Sequence, residues 1–251
     1  LSASHDRTIR MWDLASGSHE YTIRHTDSVQ ALALEPEGYW AVSASRDATL
    51  KVWNVQMGYE RQTLEGHTDF VNTVAVMPDG ARILSGSGDH TLKLWDVDSG
   101  SELWTLRGHT EPVTDVVVLP DGLRAISASE DCTLKVWNLE TGTELFTLRG
   151  HTDYINALAV VQRGRYAISA SDRVLKVWDL ESRTEFRTFD AQEERIRAVA
   201  VMPSGLDLVL ALNNGSLRMW RIDTGQVVAA FRADGELSSC AAAPDGTTII
   251  A

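Results

Sequence analysis

The sequence predicts an all-β protein assembled from repeated four-stranded sheets, and two observations carry this prediction. First, tryptophan recurs with spacings of 41, 42, 42, 41 and 42 residues, at Trp12, Trp53, Trp95, Trp137, Trp178 and Trp220. Second, each interval contains four short apolar runs separated by turn residues, and no run has helical periodicity long enough to compete. Self-similarity at a fixed period of this length is typical of repeat proteins.

The unit around Trp95 shows the four runs most clearly. They are bounded by the turn sequences "PDG", "GDH" and "DSG", so we predict strands over Val71–Met77, Arg82–Ser87, Thr91–Asp96 and Glu102–Leu106. An isolated four-stranded sheet of about 40 residues buries too little apolar surface to be stable. We therefore expect neighbouring sheets to cover both faces, and the small side chains of the first strand suit sheets that converge on a common axis, as at Ala31, Ala33, Thr73 and Ala75.

Composition narrows the classes of function. The net charge of −12 disfavours nucleic acid, whose phosphates need clustered Lys and Arg, and it disfavours an anionic membrane surface. The two cysteines, Cys132 and Cys240, form neither a disulfide framework nor a Cys-x-x-Cys metal pair, which favours a reducing, cytoplasmic setting. No apolar run reaches membrane-spanning length. Because the first residue is Leu1 rather than Met, we expect a piece of a longer protein.

Several polar residues keep the same period as the tryptophans. An acid or its amide lies six residues before each Trp, at Asp6, Asp47, Asp89, Asp131, Asp172 and Asn214. Histidines recur at His25, His67, His109 and His151. Two serines accompany each histidine, and the sequence leaves open which one it contacts: Ser43 or Ser45, Ser85 or Ser87, Ser127 or Ser129, and Ser169 or Ser171.

The recurring Ser, His and Asp raise the possibility of a hydrolase, but the repetition disfavours it. Catalysis by such a triad needs one serine, one histidine and one acid, whereas this chain would carry four equivalent centres. One histidine per unit offers no metal-ligand spacing. The segment "GSGDH" at 86–90 lacks the Lys and the following helix of a phosphate-binding loop. We therefore predict no catalytic, cofactor-binding or metal-binding residues.

The order Gly66-His67, Asp89, Trp95-Asp96, which recurs as Gly108-His109, Asp131, Trp137-Asn138, resembles the WD40-repeat family from end to end of the chain. The near-identical repeats are similar to the WD40 arrays of bacterial signalling and defence proteins. The resemblance implies a β-propeller of four-stranded blades around a central channel. It also implies that buried polar groups satisfy one another inside each blade, the His bonding the Asp and a Ser while the Trp completes the chain. The implied network residues are His25, Asp47, Trp53, His67, Asp89, Trp95, His109, Asp131, Trp137, His151, Asp172 and Trp178.

The repeats near the chain ends depart from this pattern. Gln192 and Asn214 stand where a His and an Asp are expected, and Ala233 stands at the next His position, so the blades of Trp220 and Trp12 should lack the full network. Leu1 and Ile250 occupy equivalent points of the repeat. We therefore predict one propeller domain over residues 1–251, with five complete blades and a sixth in which residues 247–251 lie beside residues 8–13; a truncated seven-bladed propeller is the alternative.

The resemblance places a binding surface at one open end of the channel, called here the top face. It is formed by the loop before each first strand, the start of that strand and the residue before the turn Asp. The predicted protein-binding residues are Gln30, Arg46, Phe70, Asn72, Thr114, Glu130, Tyr154, Asn156, Arg195 and Arg197. They vary while their neighbours repeat, and aromatic and Arg side chains dominate many interfaces. The alternative for Phe70 and Tyr154 is that they cover a blade edge.

The predicted function is a non-catalytic scaffold or sensor that binds a protein or peptide and is attached to further domains of a longer chain. Rigid scaffolds with variable loops are suited to recognition. One alternative is a propeller enzyme with a site at the channel mouth, which requires an unrepeated cluster of acids, bases or metal ligands that the sequence does not show. The other is a structural or oligomerising module, which a long exposed apolar patch would favour.

Overall fold

The fold of the chain was obtained as a computed structural model, which describes residues 1–13, 16–190, 194–233, 235, 237, 239–242 and 249–250. Within these residues the regular structure consists of 25 β-strands and one short 3-10 helix at Gln162–Gly164. The all-β class predicted from the sequence is therefore confirmed. No helix in the described part of the chain is long and apolar enough to cross a membrane.

Five four-stranded sheets make up most of the structure. The first contains β4 to β7 (Val29–Leu34, Trp40–Ser45, Thr49–Asn54, Tyr59–Glu65), and the second contains β8 to β11 (Val71–Val76, Arg82–Ser87, Thr91–Asp96, Glu102–Arg107). The third contains β12 to β15 (Val113–Val118, Arg124–Ser129, Thr133–Asn138, Thr143–Arg149). The fourth contains β16 to β19 (Ile155–Val161, Tyr166–Ser171, Val174–Asp179, Thr184–Asp190), and the fifth contains β20 to β23 (Ile196–Val201, Asp207–Leu212, Ser216–Arg221, Val227–Arg232).

Each of these sheets is a meander in which every strand pairs with the next one along the chain. In the second sheet the pairing is antiparallel throughout, with Val74 opposite Ser85 and Lys93 opposite Ser85 and Thr105. The register shifts at the tryptophan of the third strand, for example between Leu94 and Trp95. The four strands predicted around Trp95 agree with the observed bounds to within one residue.

Two smaller sheets lie at the chain ends. β1 to β3 (Ser2–Ala3, Thr8–Trp12, His19–Arg24) form a three-stranded sheet, and β24 and β25 (Ala241–Ala242, Ile249–Ile250) form a two-stranded sheet. β1 pairs with β2, and β25 pairs with β24. Residues 247, 248 and 251 lie outside the described residues, so the closing of a sixth blade by both chain ends stays a prediction.

The contacts divide the chain into two compact units. The first contains Leu1–Val118, Gly122–Ser127 and Val136–Leu145, and the second contains Leu119–Asp121, Ala128–Lys135 and Phe146–Ala251. The prediction of a single domain over residues 1–251 is not tested by this division and stays a prediction.

Apolar side chains fill the space between adjacent sheets of each unit. In the first unit, Val42, Leu50 and Val52 of the first sheet pack with Ile83 and Trp95 of the second. In the second unit, the fourth and fifth sheets pack in the same way through the cluster that contains Ile168, Leu175, Val177, Ile196, Leu208 and Leu210. Neighbouring sheets thus cover faces that a single meander would expose, which is the requirement inferred from the size of the repeat.

The burial of Leu50 leads to a stability prediction. Leu50 is fully buried between two sheets, so Leu50→Ala removes apolar contacts and leaves a cavity, and we expect a loss of about 2–5 kcal/mol in the free energy of unfolding. Leu34→Ala is the matched control because Leu34 is 52% exposed, and its cost should stay within about 0.5 kcal/mol. Urea unfolding of both variants measures the difference, and equal costs would contradict the described packing.

Candidate functional site

A chain of hydrogen bonds crosses each of the first two four-stranded sheets. In the first sheet, Trp53 Nε1 donates to Ser43 Oγ at 2.7 Å, and Ser43 Oγ lies 2.6 Å from His25 Nε2. The other ring nitrogen, His25 Nδ1, lies 2.9 Å from Asp47 Oδ2. The second sheet repeats this arrangement with nearly the same distances, through Trp95, Ser85, His67 and Asp89. In the first sheet the network thereby joins β5 and β6 to the loop before β4 and to the turn before β6.

The third and fourth sheets contain the Trp, Ser and His part of this network. Trp137 Nε1 donates to Ser127 Oγ at 2.8 Å, and His109 Nε2 lies 2.7 Å from the same oxygen. In the fourth sheet the corresponding distances to Ser169 Oγ are 2.8 Å from Trp178 and 2.6 Å from His151.

The structure also decides between the two serines that the sequence left open. The first serine of each pair, Ser43, Ser85, Ser127 or Ser169, is the one between His and Trp. The second lies at the end of the strand, where its hydroxyl bonds a backbone carbonyl of the loop before the first strand: Ser45 donates to Asp27, Ser87 to Asp69 and Ser171 to Asp153.

The direction of the hydrogen bonds follows from the indole. An indole N–H donates and does not accept, so the serine oxygen accepts from Trp53 and its hydroxyl is free to donate to His25 Nε2. His25 Nδ1–H then donates to the carboxylate of Asp47. Burial lowers the pKa of His25, although Asp47 opposes this shift, so the neutral imidazole is the form that suits the chain of donors.

The turn aspartate accepts several hydrogen bonds besides the one from histidine. Asp47 Oδ1 accepts from the backbone N–H and hydroxyl of Thr49, and Oδ2 accepts from the backbone N–H and hydroxyl of Thr26. Burial alone would raise the pKa of Asp47, but the hydrogen bonds from Thr49 and His25 outweigh it and hold the pKa well below its usual range. The carboxylate therefore ties the loop before β4 to the turn before β6.

These groups are poorly placed for covalent catalysis. Ser43, Ser85, Ser127 and Ser169 are fully buried, and each hydroxyl is engaged by a Trp and a His. A nucleophile needs a path to its substrate and room for attack. Among the described residues, no group of three or more His, Cys, Asp and Glu side chains is arranged to hold a metal ion.

The fourth sheet differs from the prediction at its aspartate. The sequence pattern predicted that Asp172 would bond His151, but the structure places the Asp172 carboxylate 2.8 Å from Arg195 Nε and 3.6 Å from Arg173 Nε. The shorter turn between β17 and β18 causes this difference. Two residues separate Ser171 from Val174, whereas three separate Ser45 from Thr49 in the first sheet. Asp172 also adopts a φ of 45°, so its side chain leaves in another direction.

Within the described residues, the tryptophans near the chain ends lack the complete network, in line with the sequence. Trp220 Nε1 is buried and has no hydrogen-bond partner among the described residues, and Leu210 stands ten residues before it, at the place of the serine. Asn214 Oδ1 accepts from the backbone N–H of Ser216. Trp12 Nε1 donates to Ser2 Oγ at 2.9 Å, in an exposed setting. Gln192 lies outside the described residues.

The predicted binding residues of the first unit include one close aromatic and cation pair. Phe70 is 44% exposed, and the guanidinium carbon of Arg46 lies 5.1 Å from the centroid of its ring. The half-buried side chain of Asn72 donates through Nδ2 to the Val113 carbonyl at 2.9 Å, so its amide supports the strand of the next sheet. Gln30 and Thr114 are also half-buried, and Gln30 Nε2 has no partner among the described residues.

The predicted binding residues of the second unit surround a cavity of about 230 Å³. It is lined by Tyr154, Asn156, Arg195 and Arg197, together with Asp153, Asp172 and Ile196. Tyr154 is 55% exposed, and both arginines are exposed. Asp172 was assigned to the buried network from the sequence and belongs to this surface instead. Glu130 is half-buried in the preceding turn and does not line the cavity.

The network leads to a prediction for its central histidine. His67→Ala removes the buried ring that bonds both the Asp89 carboxylate and the Ser85 hydroxyl, so we expect a loss of about 1–3 kcal/mol in the free energy of unfolding. His5→Ala is the control, because His5 is exposed in a turn and should have little effect. Urea unfolding at neutral pH provides the comparison, and a harmless His67→Ala would show that the network does not stabilise the sheet.

His151 should make stability depend on pH. Burial lowers its pKa to about 4, with the Lys176 ammonium acting in the same direction and Glu185 opposing it. The unfolded side chain has a pKa of about 6.5, so between pH 6.5 and about 4 the unfolded chain binds a proton that the folded chain does not. We expect the free energy of unfolding to fall as the pH decreases through this range. Urea unfolding of His151→Gln should show a shallower fall, and an identical pH dependence in both proteins would contradict the assignment.

Comparison with known proteins places the chain among repeat proteins of one family. The family model "WD domain, G-beta repeat" matches residues 14–54, 58–96, 100–138 and 142–179. Autophagy-related protein 16 of Arabidopsis thaliana is 36% identical over 58 residues, which are 23% of this chain and 11% of that protein. Coronin-like protein of Saccharomyces cerevisiae is 31% identical over 55 residues, or 22% of this chain and 8% of that protein. Lissencephaly-1 homolog 1 of Paramecium tetraurelia is 29% identical over 66 residues, which are 26% of this chain and 16% of that protein.

The similarity to these relatives is confined to short segments, and each spans less than a fifth of the relative's own length. The family model, by contrast, matches more than half of the chain, and its four matched segments contain the third-strand tryptophans Trp53, Trp95, Trp137 and Trp178. Together with the repeated four-stranded meanders and the Trp, Ser and His network, this shows that the chain belongs to the WD40 family of β-propeller repeat proteins.

Proposed function

We propose that the chain is a non-catalytic binding module that holds a protein or peptide on the loops before its first strands. WD40 repeats typically mediate protein–protein interactions. The observation that carries the proposal is the surface of the second unit, where the exposed Tyr154 stands beside Arg195, Arg197 and Asp172 around a cavity of about 230 Å³. We call this surface the Tyr154 surface. Aromatic and Arg side chains at the edge of a cavity are the groups that most often dominate binding energy.

The backbone beneath Tyr154 is held in place, which favours binding by a preformed site. The Tyr154 backbone N–H donates to Asp153 Oδ1 at 2.8 Å, and the Asp153 carbonyl accepts from Ser171 Oγ at 2.8 Å. The Arg195 backbone N–H donates to Asn213 Oδ1 at 3.1 Å. A site whose loops are already ordered loses less conformational entropy when a ligand binds.

The charges of the Tyr154 surface favour a partner with both acidic and neutral polar groups. Arg195 is paired with Asp172, whereas Arg197 is exposed beside Tyr154. The chain as a whole carries a net charge of −12, but Arg197 supplies a positive charge at the cavity that can pair with a carboxylate of a partner. The same net charge supports our proposal that nucleic acid and anionic membranes are not its ligands.

The first unit offers a second surface of the same kind, formed by Phe70 and Arg46. Phe70 occupies the position of the repeat that Tyr154 occupies in the second unit, 84 residues later in the sequence. The guanidinium carbon of Arg46 lies 5.1 Å from the centroid of the Phe70 ring, and the side chain remains 44% exposed, so part of the aromatic ring is available to a partner. The large exposed groups at equivalent positions support recognition through the loops before the first strands.

Substitution of the exposed side chains should separate binding from stability. Peptides selected from a display library on the unchanged chain provide defined ligands, and their affinity is measured by isothermal titration calorimetry. We expect Phe70→Ala, Tyr154→Ala and Arg197→Ala together to weaken binding by at least about 2 kcal/mol, as for loss of central interface residues, with nearly the same melting temperature.

The matched control is Tyr39→Ala, because Tyr39 is as exposed as Tyr154, at 55%, but lies in the turn between β4 and β5. Its affinity should equal that of the unchanged chain. Retained binding by the triple variant, with a loss on Trp104→Ala in β11 instead, would move the site to the outer strands and overturn the proposal.

A further inference from the structure

The turn aspartate fills a defined place in the first two sheets. Asp47 Oδ2 accepts from His25 Nδ1 at 2.9 Å and from the backbone N–H of Thr26 at 3.1 Å. Asp89 Oδ2 accepts from His67 Nδ1 at 2.8 Å and from the backbone N–H of Thr68 at 3.0 Å. A ring N–H and the next backbone N–H thus form a pair of donors for one carboxylate.

The fourth sheet keeps this pair of donors but turns its own carboxylate away. His151 and Thr152 stand at the positions of His25 and Thr26, while Asp172 is bound to Arg195. His151 is 8% exposed, and within the described residues its ring bonds Ser169, whose Oγ lies 2.6 Å from Nε2. Its Nδ1 and the Thr152 backbone N–H have no carboxylate from the described part of the chain.

An open cavity of about 520 Å³ lies at this place. It is lined by Gly150, His151, Thr152, the turn Ser171–Val174 and Lys176, with Asp153 and Asp190 also at its wall. We call this cavity the notch. The shorter turn therefore does two things in the second unit. It moves Asp172 toward Arg195, and it leaves the ring of His151 and the backbone N–H of Thr152 at the wall of a space large enough for a side chain.

The charges around the notch are compatible with an incoming carboxylate. Asp153 corresponds to Asp27 of the first sheet, which follows Thr26. Asp190, which lies opposite Val174 in the strand pairing, corresponds to Glu65, which lies opposite Thr49. Asp47 is held as a carboxylate beside these acids of the first sheet. Lys176 Nζ lies 2.7 Å from Glu185 Oε2 and 2.9 Å from Thr188 Oγ1. The exposed Arg173 adds a cation at the turn. Asp172 also lines the notch, but its carboxylate is already paired with Arg195 Nε at 2.8 Å. The remaining acidic neighbours are those that a carboxylate already tolerates in the first sheet.

We propose that the notch binds the side-chain carboxylate of an Asp or Glu residue of the partner, which takes the place that Asp47 and Asp89 occupy in their own sheets. The proposal rests on the proposed function and specifies the partner's chemistry, because the notch shares Asp153 and Asp172 with the Tyr154 surface. A single bound peptide then places one acidic side chain in the notch and an apolar or polar segment at Tyr154.

Acetate serves as the probe, because it carries the carboxylate of such a side chain and nothing else that the Tyr154 surface would recognise. The chain labelled with ¹⁵N-histidine is titrated with sodium acetate, and with sodium chloride at the same ionic strength, while the ring nitrogens are followed by NMR. We expect a saturable shift at His151 with acetate alone. His67 is the internal control, because its Nδ1 already bonds Asp89.

Restoring the turn should close the notch. Insertion of a glutamate between Ser171 and Asp172 gives Ser-Glu-Asp-Arg, which matches Ser129-Glu130-Asp131-Cys132 in length, and Arg7 shows that an arginine is accepted at the fourth position with a φ of 71°. The inserted turn returns the aspartate to His151, so acetate should bind about tenfold more weakly or not at all, the loss expected for about 1.4 kcal/mol.

Several outcomes would overturn the proposal. These are equal shifts at His151 and His67, an equal effect of chloride, a larger effect of inorganic phosphate than of acetate, or undiminished acetate binding by the folded insertion variant. If that variant does not fold, the comparison of His151 with His67 in the unchanged chain still tests the proposal. None of these results involves Tyr154, so a failure here leaves the proposed function intact.

A selected peptide ligand identifies the source of the carboxylate. Exchange of its Glu or Asp residues for Gln or Asn should weaken binding about tenfold at one position, whereas amidation of its C-terminus should not. A loss on amidation alone would overturn the choice of a side chain.

Discussion

The hydrogen bond between the histidine and the turn aspartate is the constraint on which the loops before β4 and β8 depend. In the first sheet it joins His25, in the loop before β4, to Asp47, in the turn before β6, although 22 residues separate them in the sequence. Ser43 and Trp53 extend the same chain of hydrogen bonds across β5 and β6. Because His25, Ser43 and Trp53 are buried, their polar atoms must find partners within the protein, and the loop is held as a consequence.

A loop held from beneath is free to vary in the side chains that face outward. Phe70 follows Asp69, whose carbonyl accepts from Ser87, and Tyr154 follows Asp153, whose carbonyl accepts from Ser171. The supporting residues repeat from sheet to sheet, whereas the residue after them is an aromatic, a proline, a serine or an arginine. The division between repeated support and variable surface is what a binding module requires, since specificity can change without a cost in stability.

The departures from the repeat are therefore informative. Trp220 keeps its aromatic ring in the core of the second unit, but its Nε1 has no partner among the described residues, because Leu210 stands at the place of the serine. Leu210 packs in the same apolar cluster instead. The turn at Asp172 has the opposite character, since it changes a surface rather than the core. A carboxylate that serves the network in the first two sheets becomes the partner of Arg195 beside Tyr154.

The sequence by itself determined the all-β class, the four-stranded unit and the identity of the network residues in the first two sheets. The repeat period and the turn residues suffice for this prediction, because every unit packs in the same way. A strand that is ambiguous in one repeat can therefore be assigned by comparison with the others. The bounds of β8 to β11 were predicted to within one residue for that reason. The exposed positions of Phe70 and Tyr154 were also found, since variation at a fixed place in a repeat is visible without a structure.

Only the tertiary structure decided where Asp172 points, which serine meets each histidine and what surrounds His151. The distance from Asp172 to Trp178 in sequence equals that from Asp47 to Trp53, so the spacing alone predicted the same role. The missing residue lies on the other side of the aspartate, between it and Ser171, and its effect is to change the backbone path of the turn. The direction of a side chain depends on the path of the backbone, and the number of residues between Asp172 and Trp178 carries no information about that path.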